Sequence, residues 1–183
     1  MYSPTIRLGA LAALAVSALA LAGCASMHVS SFVEHGSDLR RYHTYNWRPA
    51  MALSTGDPRL DNNQFFDQRV RAQVERHLAS QGFQKATSGV PDLLVRYHAS
   101  ITQKIDLSDI DREAADRADV DRRAFVYDAG TLVVDLVDAR TNTLVWRGWA
   151  EGSFDGAIDN QRWMEARIDD AVARILQRLP RGL

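Results

Sequence analysis

Hydrophobic and polar positions along the chain fall into two helical stripes and a set of alternating runs. Phe66, Val70, Val74 and Leu78 recur every four residues, which places them along one side of a helix. Asp61 to Asn63 are N-cap types at its start, and Gly82 sits where a helix-ending residue belongs, with Phe83 folding back. Arg69, Arg71, Glu75 and Arg76 are expected on its solvent side. A second helix begins around Asp159-Asn160 and carries Met164, Ile168, Ala171, Val172, Ile175, Leu176 and Leu179 at helical spacing, and Pro180 closes it. Leu93, Val95, Tyr97, Ala99 and Ile101 alternate with Leu94, Arg96, His98 and Ser100, as in a strand with one buried face. Leu132, Val134 and Leu136 mark another strand. Turn residues Asp138 to Asn142 follow, and Leu144 to Ala150 returns antiparallel. Val29 to Val33 and Tyr42 to Trp47 are earlier, shorter strands, the latter stopped by Pro49. The order β-β-α-β-β-β-α predicts an α+β two-layer sandwich, a mainly antiparallel sheet with both helices on one face.

The head of the chain is different. Of its first 24 residues, 17 are hydrophobic or Cys and one, Arg7, is charged. Leu8 to Ala22 is mostly Leu and Ala and as a helix spans roughly 22 Å, short of the ~30 Å hydrocarbon core of a bilayer. It fits a secretory signal segment ending in small residues. Leu21-Ala22-Gly23-Cys24 resembles the lipobox of bacterial lipoproteins, which implies cleavage before Cys24 and acylation there, palmitate among the chains. The competing explanation is an ordinary signal peptide with a chance cysteine. By the sorting pattern that the resemblance carries, Ala25 in place of Asp favours the outer membrane. The expected organisation is a signal peptide at 1–23, a tether at 24–28 and one domain at 29–183, with a charged excursion at about 104–127. That excursion holds seven acidic residues and four arginines, and Ser108 is placed to cap a thin-striped helix from about Asp109 to Ala124.

Removing the first 24 residues leaves about 160 residues with 21 Lys+Arg against 23 Asp+Glu (22 − 1 and 23 − 0). That length builds one core. A net charge near −2 gives no basic face, so no nucleic acid is expected as a partner. A single cysteine excludes an intrachain disulfide.

Several segments together resemble a family of bacterial lipoproteins known only as domain-of-unknown-function family 4136. They are Tyr42-His43-Thr44-Tyr45-Asn46-Trp47, Asp57-Pro58-Arg59-Leu60-Asp61-Asn62, Gly82-Phe83 and Pro91-Asp92-Leu93-Leu94-Val95. The most specific are Gly130 to Asp138 and Leu144-Val145-Trp146-Arg147-Gly148. The resemblance covers nearly all of the chain after Cys24, is weakest at Phe32 to Gly36, and implies an envelope lipoprotein with no catalytic residues to carry over.

Candidate chemistry is sparse. His28, His35, His43, His77 and His98 form no close ligand spacing, and Asp109, Asp111 and Glu113 open a calcium-loop pattern that Ala114 and Val120 break, so no metal is expected. No nucleophile motif is present: Glu151-Gly152-Ser153-Phe154 reads as a strand end, and Gly148, Gly152 and Gly156 suggest a bend or bulge. Trp146 and Trp149 should point to opposite faces unless a bulge intervenes. Tyr45, Trp47, Trp146 and Trp149 are the candidate docking surface. The expected function is a non-enzymatic interaction or accessory module without cofactor, lipid-anchored through Cys24 at the periplasmic face of the outer membrane, its sheet face or edge recognising an envelope protein or an envelope lipid. The alternative is a lipid-anchored binding module for a hydrophobic or anionic small molecule, with a pocket lined by Tyr97, Tyr127 or the tryptophans.

Overall fold

The computed structural model describes residues 27–48, 55, 57–58, 60–61, 63–106, 125–154, 156–157 and 159–180. Strands β1 (Met27–Val33) and β2 (Thr44–Trp47) come first, with a short 3-10 turn at Leu39–Arg41 between them. Helix α1 (Gln64–Ser80), the two-residue strand β3 (Gln84–Lys85) and strand β4 (Leu93–Asp106) follow. Strands β5 (Phe125–Asp138) and β6 (Leu144–Ser153) and helix α2 (Gln161–Gln177) complete the order. This is an α+β fold whose order follows the expected one apart from the added β3.

The sheet runs β1-β6-β5-β4-β2-β3. Pairings from β1 through β4 are antiparallel, while β2 runs parallel to both β3 and β4. A parallel partner needs a crossover, and α1 supplies it between β2 and β3. Both helices pack on each other and on the same side of the sheet.

Local chemistry sets the helix ends. The Asn63 side chain accepts from the Phe66 N–H at 3.0 Å, and Asn160 accepts from Trp163 at 3.2 Å. Gly82 takes φ +93°, which lets the Phe83 N–H reach back to the Leu78 carbonyl at 3.0 Å. The stripe Phe66, Val70, Val74 and Leu78 is buried, as are Met164, Ile168, Ala171, Val172, Ile175 and Leu176 of α2. They close over Leu93, Val95, Leu132, Val134, Leu136 and Trp146 of the sheet. Among the described residues the core is one continuous cluster shared by the sheet and both helices.

Three expectations change. β1 starts at Met27, so the tether expected at 24–28 gives up its last two residues to the sheet. β4 and β5 continue outward in one 14-residue ladder, Leu93↔Asp138 to Asp106↔Phe125. The ends of the expected excursion, 104–106 and 125–127, are therefore strand; alternation simply persists through Thr102 to Lys104. The expected helix from Asp109 to Ala124 and the calcium-like pattern lie outside the described residues. Finally, the polar side of α1 is not simply solvent-facing. Arg69 binds both oxygens of Asp169 on α2, and Gln73 adds a 2.7 Å bond to the same carboxylate.

Candidate functional site

The four aromatic residues expected to share a docking surface do not share one. Register decides this. Tyr45 lies opposite Leu93 and Trp47 opposite Val95, so both point toward the helices. Tyr45 is 2% exposed, and burial pushes its phenol pKa up. Trp47 is bracketed by polar partners at the rim: its indole N–H donates to Glu75 Oε1 at 2.7 Å, and the Arg71 guanidinium sits 4.5 Å over its ring. Tyr97 meets Trp47 edge-on at 6.3 Å and donates its hydroxyl to Asp67. Burial works to raise the Glu75 carboxyl pKa, but hydrogen bonds from Lys85 and Trp47 outweigh it and hold the carboxyl below its ordinary value. Trp47 therefore clamps α1 to the sheet.

Trp146 and Trp149 do face opposite ways, because β6 is regular between them. The ladder's irregularity lies just before Trp146, where β6 carries the extra residue Val145 opposite the Leu136–Val137 step of β5. Trp146 is wholly buried beneath α2, and its indole N–H has no acceptor among the described residues. Its ring passes over Gly148: a methyl built there would meet Trp146 Cζ2 and Ile175 Cγ2 each at 2.7 Å. Gly148 thus makes room for an indole rather than a bulge. Of the four residues, only Trp149 lies on the open face, half-buried between Val133 and Ser30.

The open face carries one ordered charge row. Arg96, Asp135 and Arg147 stand opposite one another on β4, β5 and β6, and Phe32 of β1 ends the row. Asp135 accepts from Arg96 Nε at 2.8 Å and from Arg147 Nε and Nη2 at 2.6 and 2.9 Å. The Asp135 side chain is 7% exposed, whereas each arginine keeps 44%. The hydrogen bond to Asp135 raises the Arg147 pKa further above its already high ordinary value. Farther along, Lys104 pairs with Glu151.

An exposed apolar pair at the sheet edge is a feature that reading the sequence missed. Phe32 and Val33 of edge strand β1 are 46% and 37% exposed. Glu34 donates to the Val145 carbonyl, and the same two-residue alternation points the even-numbered amides of β1 at β6. Met27, Val29, Ser31 and Val33 therefore turn their backbone groups outward. The strand, MHVSSFV, holds neither a formal charge nor a proline, the usual protections of an edge. That absence was visible in the sequence; its place at an edge was not.

A cavity of about 40 Å³ lies between the sheet and the helices. Neither Tyr97, Tyr127 nor any tryptophan lines it; Phe66, Leu132, Phe154 and Ile168 do. Among the described residues no group of three or more His, Cys, Asp or Glu side chains is placed to hold a metal, and no helix is long and apolar enough to cross a membrane.

No curated protein matches the chain. Among solved structures, it is similar to a PDZ domain protein from Parabacteroides distasonis with a TM-score of 0.53 at 10% identity. That match covers 86% of this chain but only 37% of the other, so the likeness is one of fold to a part of that protein. Two structures of the PelC dodecamer from Paraburkholderia phytofirmans match at TM-scores of 0.43 and 0.44, with 11% and 8% identity, over 82% of this chain and 95% and 96% of theirs. The family model described as "Domain of unknown function (DUF4136)" matches residues 29–181, nearly the whole folded domain. The chain belongs to that family.

Proposed function

We propose that the protein is a lipid-anchored, non-enzymatic accessory module of the bacterial envelope, held at the periplasmic face of the outer membrane and recognising an envelope protein through edge strand β1. Strand β1 carries this reading. A seven-residue, uncharged, proline-free edge with outward-turned backbone groups and two exposed apolar side chains is suited to accept a strand from another protein. Phe32 and Trp149, on adjacent strands of the open face, flank that edge with apolar surface, and Arg147 beside Phe32 adds a cation.

The anchor is supported by the apolar head and by Leu21-Ala22-Gly23-Cys24. A thioether-linked diacylglyceryl group and an amide-linked acyl chain, at about 0.8 kcal/mol per buried CH₂, hold far more firmly than one myristoyl group. Only Ala25 and Ser26 separate Cys24 from β1, three steps that reach about 10 Å at 3.3–3.6 Å per residue. The edge strand is then the part of the domain nearest the lipid, and its partner is a protein of the same membrane.

Photo-crosslinking in living cells tests this. A photoreactive residue replacing Phe32 should yield one reproducible envelope-protein adduct, lost when Ser31→Pro removes an outward amide while leaving the β6 ladder intact. The same residue placed at Arg76, on the exposed side of α1, should not yield it. No adduct from position 32, or an adduct indifferent to Ser31→Pro, refutes recognition through the edge.

A further inference from the structure

The cavity is built by a specific placement of small residues. On the helix-facing side of the sheet, one cross-strand row reads Ile101, Gly130, Gly152, Met27, and the next reads Ala99, Leu132, Ala150, Val29. Two glycines side by side on β5 and β6 leave bare backbone where neighbouring rows carry side chains. Ala171 of α2 faces the same space with a single methyl. Phe154 folds against Gly130, its side chain 3.0–3.3 Å from where a methyl there would be, and walls one side. The result is an apolar hollow that side chains of ordinary size would have filled.

Its one charged lining residue is Arg167, half-buried on α2. Among the described residues Arg167 has neither an ion pair nor a hydrogen-bond partner, whereas Arg69, Arg71 and Arg174 on the same two helices each bind a carboxylate. An unpaired guanidinium beside an apolar hollow is complementary to an anionic head joined to a hydrocarbon tail. Size narrows the tail. A cavity of about 150 Å³ accommodates benzene, so about 40 Å³ suits the last few carbons of a linear chain better than a ring.

We propose that this cavity is a binding site for a single-chain anionic amphiphile of the fatty-acid type, the chain end entering between β5, β6 and α2 and the carboxylate meeting Arg167. The site shares Met27 with strand β1 but needs neither the lipid anchor nor the outward backbone groups of that strand. It gives the domain a second contact with membrane-derived chemistry on the opposite side of the sheet from Arg96 and Arg147.

The test uses the chain expected after cleavage, residues 24–183, with Cys24→Ser and ¹³C on its Met and Ala methyl groups. Decanoate, kept below its micellar concentration, should shift the Met27 and Ala171 methyl resonances saturably, while benzoate should not. Arg167→Gln should weaken decanoate about fivefold or more and leave decan-1-ol unaffected, since only the acid loses a charge-assisted bond. Ala171→Leu, or Gly152→Val if that variant does not fold, should abolish the binding of both. The proposal is overturned if decanoate produces no saturable shift, if Arg167→Gln affects acid and alcohol alike, or if a folded cavity-filling variant binds unchanged.

Discussion

Replacing Gly148 by alanine tests the packing of the core at its tightest point. The added methyl would lie 2.7 Å from Ile175 Cγ2 and from Trp146 Cζ2, and closer still to Trp146 Cη2. Both side chains are 0% exposed, so neither has solvent to retreat into. Overpacking of a core costs about 1–3 kcal/mol, and two immobile obstacles put this substitution near 3 kcal/mol. For a domain of this length that is roughly 6–12 °C in Tm, and a large share of a total stability of about 5–15 kcal/mol. Gly130→Ala is the internal control: its methyl comes nearest the Phe154 side chain, 3.0 Å from the ring and 3.3 Å from Cβ, and Phe154 is partly exposed at a strand end. Its cost should stay below about 1 kcal/mol, because the ring can swing aside. Trp146→Phe removes both clashing ring atoms, so the double variant with Gly148→Ala should be less destabilised than the two singles summed, by about 1 kcal/mol or more. Urea unfolding of residues 24–183 with Cys24→Ser, followed by tryptophan fluorescence, measures all four variants. Gly148→Ala within about 0.5 kcal/mol of the parent, or strict additivity with Trp146→Phe, would show that the indole does not cross the strand there.

Three further outcomes follow from the polar contacts. Asp135→Asn leaves Arg96 and Arg147 without their shared anion and should lower stability by about 1–3 kcal/mol in the same assay, with the cost shrinking as salt rises because both arginines are partly exposed. Asp92 accepts from the His43 and Thr44 amides and the Thr44 hydroxyl, which hold its carboxyl below the ordinary 3.8. The folded value therefore lies below the unfolded one, so this stabilisation is complete above about pH 4–5 and is lost as pH falls through the folded value. Unfolding monitored from pH 7 to pH 2 should show a shallower acid loss for Asp92→Asn than for the parent; equal slopes would remove Asp92 from the acid response. Trp47→Phe forfeits the bond to Glu75 and the stacked Arg71, and should destabilise by about 1–2 kcal/mol while leaving crosslinking from position 32 unchanged.

The helices were legible because their signals are local. A four-residue stripe, an Asn cap and a glycine past the end all sit within one segment, and each appears where the periodicity puts it. The antiparallel hairpin of β5 and β6 was legible for the same reason, its turn residues lying between two alternating runs. What was illegible depends on partners distant in sequence. The spacing of Tyr45 and Trp47 gives them a common face, but only the parallel register against Leu93 and Val95 says that this face meets the helices. Likewise, an uncharged β1 becomes informative only once it is known to be an edge. The cavity belongs to the same class, since Gly130 and Gly152 are separated in sequence yet paired in the sheet. Charge density around Asp106 hid the outer end of the β4–β5 ladder, because exposed strand ends tolerate the same polar residues that mark loops.

The proposed role stands on the anchor at Cys24, and the mass of the N-terminal peptide tests it most directly. Protein isolated from whole cells should sediment with the outer membrane, and its first peptide should begin at Cys24 and carry the mass of a diacylglyceryl group with an amide-linked acyl chain. A Cys24→Ser variant should leave that fraction. A peptide that begins elsewhere, or a Cys24 thiol that is free in protein from the soluble fraction, would contradict the account.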